Sequence, residues 1–304
     1  MVILITGATG LVGSKISEDL RSQGHAVHYL TTRQSALKTE SNNKGFLWNV
    51  KEMTIDAACV KGVDALIHLA GETVFQKWTK EAKQSILHSR IDSTELLLRL
   101  LQENDHQVKQ VVTASAIGIY PDDQNGKALR ENDIPPTATN YLADVCIAWE
   151  KAGAKFQQLG LKHAVVRIGI VLSDKGGALD QMSKPVKLYA GAGFGNGKMW
   201  QSWVANDDLS GIFIHILNNT LEGIYNGVAP HPIRNRPMME AIGKVLGKPL
   251  FLPNIPEFVM KLMLGEMSSI VLASQHASSE KIEEKGYAFE FPELEMALEE
   301  YLDE

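Results

Sequence analysis

MVILITGATGLVG, residues Met1 to Gly13, is the stretch that decides the fold. Val2 to Ile5 is a short apolar, β-branched run, and Gly7, Gly10 and Gly13 follow at three-residue spacing. Ile16 and Leu20 then stand at i, i+4, the period of a helix packed by one face. The reading is strand, tight turn, helix. One glycine permits the turn, one lets backbone N–H groups reach a pyrophosphate, and one lets the helix lie close to the strand. The helix N-terminus would face the phosphates with unpaired N–H groups and the positive end of its dipole. Gly7, Thr9, Gly10, Leu11, Val12 and Gly13 are therefore candidate dinucleotide-binding residues. A plain βα turn without a ligand is the alternative.

The rest of the chain continues the alternation. His25–Thr32 (HAVHYLTT), Gly45–Trp48, Val63–Leu69 (VDALIHL), Gln107–Ser115 (QVKQVVTAS) and His163–Leu172 (HAVVRIGIVL) read as strands. Trp78 to about Gln102 and Asn140–Leu159 read as helices. Such alternation means a parallel sheet covered on both faces. Right-handed crossovers then give an α/β, Rossmann-type doubly wound sheet. After Leu172 the pattern loosens into glycine-rich loops at Ser173–Gly177 and Gly191–Gly197. A helix at Asp207–Asn218 and a strand at Gly223–Val228 return to the sheet. Frequent prolines from Pro230 onward suggest a smaller C-terminal α/β lobe. The expected division is 1–172 plus about 204–228 for the dinucleotide domain, and about 173–203 plus 229–304 for the substrate lobe.

Composition narrows the partners. The 304 residues are 44% hydrophobic with a formal net charge of −6 and no basic run, which argues against nucleic acid or anionic membrane. Cys59 and Cys146 are far apart, so neither a disulfide framework nor a metal site is expected. No apolar run approaches the ~18 residues of a membrane span. With a strand starting at residue 2, no targeting peptide is expected, and the expected compartment is the cytoplasm. A monomer or homodimer acting on a small molecule is the expected form.

The end of the second strand selects the cofactor. Chains that take NAD usually carry an acid there for the ribose 2′-OH. Here Thr31, Thr32 and Arg33 stand in its place. A guanidinium suits a 2′-phosphate, so NADP (NADPH) is favoured over NAD. A solvated surface arginine is the alternative for Arg33.

Further motifs are GATGLVG, LAGE at Leu69–Glu72, HSRIDSTELL at His88–Leu97, ASAIGIY at Ala114–Tyr120 and RIGIVL at Arg167–Leu172. GGALDQM at Gly176–Met182, QSWVANDDL at Gln201–Leu209, NGVAPHPIRN at Asn226–Asn235 and KGYAFEFPELEMAL at Lys285–Leu298 extend the set. Together they resemble the atypical extended short-chain dehydrogenase/reductases called epimerase family proteins, related to NAD-dependent epimerases and dehydratases. The resemblance spans nearly the whole chain. It implies that Leu69, Ala70 and Gly71 line the cofactor, with Glu72 and Lys77 near its ribose or nicotinamide. It places Trp48 near the adenine, against core packing as the alternative. Arg90 stands where typical members carry an asparagine and is counted with the cofactor residues, against a helix-surface ion pair. Gln201, Trp203, Arg234 and Asn235 are substrate-pocket candidates.

The resemblance also implies chemistry: a Ser or Thr, a Tyr, and a Lys four residues later. The phenol exchanges a proton beside the hydride transfer, and the ammonium lowers its pKa. Ser115 sits at a strand end as the family serine does. Tyr141 is followed four residues later by Val145, and the neighbouring frame puts Leu142 and Cys146 at the Tyr and Lys positions. Ser115, Tyr141 and Cys146 are the catalytic candidates, with Tyr120 a second phenol. The expected activity is NADP-dependent redox or epimerase-like chemistry on a small polar molecule, nucleotide sugars included. The rival is a non-catalytic NADP(H)-binding sensor or scaffold.

Overall fold

The computed structural model describes residues 1–123, 126–135 and 137–302. The opening stretch forms strand β1 (Val2–Thr6) and helix α1 (Leu11–Ser22). β2 (Ala26–Thr31), β3 (Thr39–Glu40), β4 (Asn43–Asn49), β5 (Thr54–Ile55) and β6 (Ala65–His68) follow. Then come α2 (Lys80–Glu103), β7 (Gln110–Ala116), α3 (Tyr141–Gly153) and β8 (Lys162–Ile168). The last part holds β9 (Ile170–Leu172), α4 (Ala178–Lys187), β10 (Trp200–Gln201), β11 (Trp203–Ala205), α5 (Asn206–Asn218) and β12 (Gly223–Gly227). β13 (Ile233–Arg234), α6 (Asn235–Val245), α7 (Glu257–Leu264), α8 (Ser268–Leu272), α9 (Glu280–Glu284) and α10 (Leu294–Leu302) close the described chain.

The main sheet runs β12-β8-β7-β6-β1-β2-β4-β3, with β5 on β4. Its pairings from β4 to β12 are parallel. Chain direction across the sheet reverses between β1 and β6, the switch point where open α/β sheets bind ligands. Successive side chains of a strand point to opposite faces. Ile3 and Ile5 thus pack with Ile16 and Leu20 of α1 and Leu209, Ile212 and Phe213 of α5. Leu4, Leu66 and Val111 pack on the other side with Leu96, Leu97 and Leu100 of α2 and Phe156. Burial on both faces explains why these strands read as unbroken apolar runs. A third core joins Leu172, Leu179, Trp203, Met238, Met239 and Leu298 in the C-terminal part.

The reading of His163–Leu172 as one strand needs correction. Its ladder with β12 ends at Ile168, and Ile170–Leu172 pairs instead with Trp203–Ala205 in a separate two-stranded sheet. Gly169 is the break. A Cβ there would lie 2.4 Å from the Ser202 carbonyl oxygen, so only glycine lets the chains approach. The Asn140–Leu159 helix is likewise α-helical only to Gly153, and a 3₁₀ segment, Ala154–Leu159, carries on to a left-handed Gly160. No helix among the described residues is long and apolar enough to cross a membrane.

Candidate functional site

Gly7 and Gly13 take the turn and close-packing roles that the pattern suggests. Gly7 is left-handed at φ 72°, and a Cβ on it would press on the Leu69 backbone at 3.1 Å. A Cβ on Gly13 would sit 2.3 Å from the Gly7 carbonyl oxygen, so Gly13 lets α1 lie on the turn. At Gly10, the N-cap, the only nearby atom is the Gly7 oxygen at 3.3 Å, and φ is an ordinary −84°. Gly10 is exposed, Thr9 beside it too, and Leu11 and Val12 are partly buried. The N–H groups of Leu11, Val12 and Gly13 make no hydrogen bond among the described residues. The first turn of α1 carries no acid. Open space before free N–H groups at a helix start fits a pyrophosphate.

Beside this turn, the Leu69–Gly71 segment is pinned by a chain of hydrogen bonds. The Leu69 and Ala70 N–H groups donate to Thr6 Oγ1 at 3.1 and 3.0 Å. Thr6 Oγ1 in turn lies 2.7 Å from His68 Nδ1. Its two incoming bonds leave the hydroxyl to donate to that nitrogen, which makes His68 the Nε2–H tautomer. Nε2 then donates to Thr94 Oγ1 at 3.1 Å, and Thr94 donates to the Arg90 carbonyl at 2.7 Å. Burial, helped by the Arg90 charge, lowers the His68 pKa to about 3. Burial lowers that of His163, bonded to Thr113, to about 4.

A pH dependence follows. Both folded-state values lie below the unfolded ~6.5, so between them the unfolded chain binds protons that the folded one refuses. Their stabilisation is present above pH ~6.5 and is lost as pH falls, at up to about 1.4 kcal/mol per pH unit per histidine. Urea unfolding should therefore show about 2.5 kcal/mol lost per histidine by pH ~4.5, and His68→Asn should flatten the slope. An unchanged slope in that variant would refute the buried neutral ring.

At the end of β2, Thr31 is buried and its hydroxyl accepts the Arg33 N–H at 3.2 Å, while Thr32 and Arg33 are exposed. No acid stands there. Trp48 requires a correction. It is 7% exposed, packed with Phe46, Val60 and Leu96 in the α2-side core, too enclosed to offer a face to an adenine. Glu72 and Lys77 are exposed on the segment whose Val74 and Trp78 line a large cleft.

That cleft, about 1240 Å³, opens beyond the ends of β7 and β8. Its walls include Arg90, Ala116, Leu142, Cys146 and Trp149, with Trp200, Gln201 and Glu257 from the later part of the chain. Among the described residues, the helix-surface ion pair considered for Arg90 is not formed. Its guanidinium lies 4.8 Å from the Trp149 ring centre and bonds only carbonyl oxygens.

The three catalytic candidates sit in three different settings around the β7–α3 side of the cleft. Ser115 and Ala116 point to opposite faces of β7, and Ala116 is the one at the cleft. Ser115, 2% exposed, donates to Glu150 Oε1 at 2.7 Å, and Glu150 forms a two-pronged pair with Arg167 at 2.8 and 2.9 Å. Tyr141 borders the cleft, but its hydroxyl donates to the Lys83 carbonyl at 2.7 Å, and burial raises its pKa above the ordinary phenol value. Cys146 also borders the cleft, but burial, with Glu150 adding to it, pushes its thiol up to about 11, so it is neutral. Tyr120 is fully buried, taking a bond from Arg167 and donating to Asn226, with its pKa raised to about 12, chiefly by burial.

The substrate candidates separate similarly. Gln201 lines the cleft, its amide N–H₂ directed to the Trp200 and Ala273 carbonyls. Trp203 is fully buried, its indole N–H on the His231 carbonyl, and belongs to the third core. Asn235, 1% exposed, accepts the Phe194 N–H and so fastens the Gly191–Gly197 loop. Arg234 stacks on Trp200 at 4.0 Å and bonds the Lys198 carbonyl, bracing the cleft wall. Sequence reasoning missed Asp122, a cleft-lining carboxylate. It accepts from Ser274 N–H and Gln275 Nε2, each at 3.0 Å, and burial raises its pKa. Its partners lie some 150 positions away, so no local pattern could mark it.

A doubly wound sheet with a glycine turn, a free helix start and a deep cleft at the switch-point edge defines a dinucleotide-binding protein of the Rossmann type. Residues 3–227 match the model of the NAD dependent epimerase/dehydratase family, and 255–301 match a domain of unknown function, DUF1731. The chain belongs to that epimerase family. It is 34% identical to the chloroplastic epimerase family protein SDR39U1 homolog of Arabidopsis thaliana, over 98% of this chain and 86% of that protein. It is 33% identical to the epimerase family protein YfhF of Bacillus subtilis, over 99% of this chain and 98% of that one. The crystal structure of human epimerase family protein SDR39U1 with NADPH superposes with TM-score 0.88 at 27% identity, covering 100% of this chain and 99% of that one.

Proposed function

We propose that this chain binds NADP(H) along the β1–α1 turn and holds a small polar molecule in the adjoining cleft, without the phenol and lysine relay of ordinary short-chain dehydrogenases. The cleft wall carries the reading. The positions expected to move a proton are turned away (Ser115), tied to a carbonyl (Tyr141) or neutral (Cys146). The missing acid after β2, the exposed Arg33 and the NADPH held by the human relative support NADP over NAD.

Calorimetry should find NADPH bound more tightly than NADH by about tenfold or more, the worth of a charge-assisted contact of roughly 1.5–3 kcal/mol. Arg33→Ala should erase most of that preference. Equal affinities in the wild type would sink the NADP assignment. Across a panel of alcohols, carbonyls and nucleotide sugars, NADPH consumption and epimerisation should be very slow or absent. Robust turnover lost in Tyr141→Phe would overturn the binding reading. Asp122 supports a second, redox reading, because a carboxyl with a raised pKa in the cleft can give up a proton. Turnover lost in Asp122→Asn and kept in Tyr141→Phe would favour it.

A further inference from the structure

The cleft contains a cation without an anion. Arg90 lies against Trp149, and its Nη1 donates to the Ile86 and Glu72 carbonyls at 2.8 and 3.1 Å. Nε and Nη2 have no acceptor, and no carboxylate comes within ion-pair distance, among the described residues. The other charges on the cleft wall differ. Lys261 is paired with Glu257, Glu266 with Lys83, and the Asp122 carboxylate takes the Ser274 N–H and Gln275 Nε2. The same cleft wall carries Val74, Ala116, Leu142, Val145 and Trp149, and Tyr141, Cys146 and Glu72 lie within electrostatic reach of the guanidinium. The indole N–H of Trp149 is itself buried without an acceptor among the described residues. The guanidinium edge at Nε and Nη2 is the donor that this corner leaves unused among the described residues.

A partly buried cation without a counter-charge is costly, and burial accordingly lowers the Arg90 pKa. A ligand carrying an anionic end would offset that cost, and a planar guanidinium with a free edge matches a carboxylate or phosphate. Gly71 helps to shape the corner, since a Cβ there would meet the Arg90 guanidinium carbon at 2.9 Å. We propose that Arg90 anchors the carboxylate or phosphate of a small ligand whose apolar body lies along Ala116, Leu142 and Val145. This anion is distinct from the cofactor's phosphates, which belong to the start of α1. The proposal rests on the reading of the cleft as the ligand site beside NADP(H).

The test is calorimetric titration of benzoate, phenyl phosphate and the neutral benzamide into the protein, with and without saturating NADPH. At least one of the anions should bind about tenfold or more tightly than benzamide, and the gap should shrink in about 0.5 M salt. Arg90→Gln should abolish the gap and Arg90→Lys retain part of it, and any loss of NADPH affinity in Arg90→Gln should be smaller than its loss of anion affinity. Benzamide binding as well as the anions, or no anion binding, overturns the proposal. So does an Arg90→Gln loss of NADPH affinity as large as the loss of anion affinity, which would assign the guanidinium to the cofactor. If Arg90→Gln does not fold, the wild-type gap between anion and amide decides. NADPH binding is read separately, so its failure would count against the proposed function while the cofactor-free titration still judges Arg90.

Discussion

Gly10→Val should fold like the wild type and lose NADPH binding by upwards of about a hundredfold. Its backbone is in an ordinary extended conformation, and an added Cβ meets only the Gly7 oxygen, at a tight 3.3 Å that a shift of a few tenths of an ångström relieves, so the fold can take a side chain. That room lies before the free N–H groups of Leu11, Val12 and Gly13. Valine methyls there would keep a phosphate from two or more of these donors. Each contact to a charged group is worth about 1.5–3 kcal/mol, so losing two removes about 3 kcal/mol or more. Gly13→Val is the contrasting control. Its Cβ would lie 2.3 Å from the Gly7 oxygen and 2.8 Å from the Gly7 carbonyl carbon, forcing α1 off the turn. That variant should lose stability first and binding as a consequence. Thermal melting with NADPH fluorescence titration separates the two outcomes. A folded Gly10→Val protein with wild-type affinity would falsify the phosphate-turn assignment.

The legible parts of this protein are those set by local pattern. The β1–α1 turn, the order of strands and helices and the return of Gly223–Gly227 to the sheet all follow from apolar period and glycine spacing. The cleft was harder to read, because its character depends on which way single side chains point. Ser115 and Ala116 are adjacent, and in a strand one position decides between facing α3 and facing the cleft. Tyr141 was a reasonable phenol in sequence, and only packing against α2 shows its hydroxyl on the Lys83 carbonyl. In the sequence Trp48 is open to an adenine or a core role and Trp203 is a pocket candidate, and both lie in cores. Arg90 could be placed near the cofactor, but its want of an acid shows only when the surrounding helices are assembled.

Glu150→Ala should cost about 3–5 kcal/mol, the largest stability loss expected from a single polar side chain here. Arg167 is wholly buried and is held by Glu150 through two bonds, with Nη1 donating to the Tyr120 hydroxyl at 3.0 Å and the Glu131 carbonyl at 2.7 Å. Burial alone would depress the guanidinium pKa, but the Glu150 bonds outweigh it and the net shift is upward. Removing the carboxylate leaves that charge in the interior with neutral partners only. Ser115→Ala takes away one hydrogen bond to the same carboxylate and should cost less, about 1.5–3 kcal/mol at most. Glu150→Gln, which keeps the shape and part of the bonding, should fall between the two. The pair also ties α3 to β8, and α3 carries Cys146 and Trp149 to the cleft. Glu150→Ala should therefore also weaken whatever ligand rests on Arg90, since the ring beneath that guanidinium is one residue away. Urea unfolding at pH ~7 gives the order, and a cost below about 1 kcal/mol for Glu150→Ala would mean that water reaches Arg167 and that the network does not hold α3 in place.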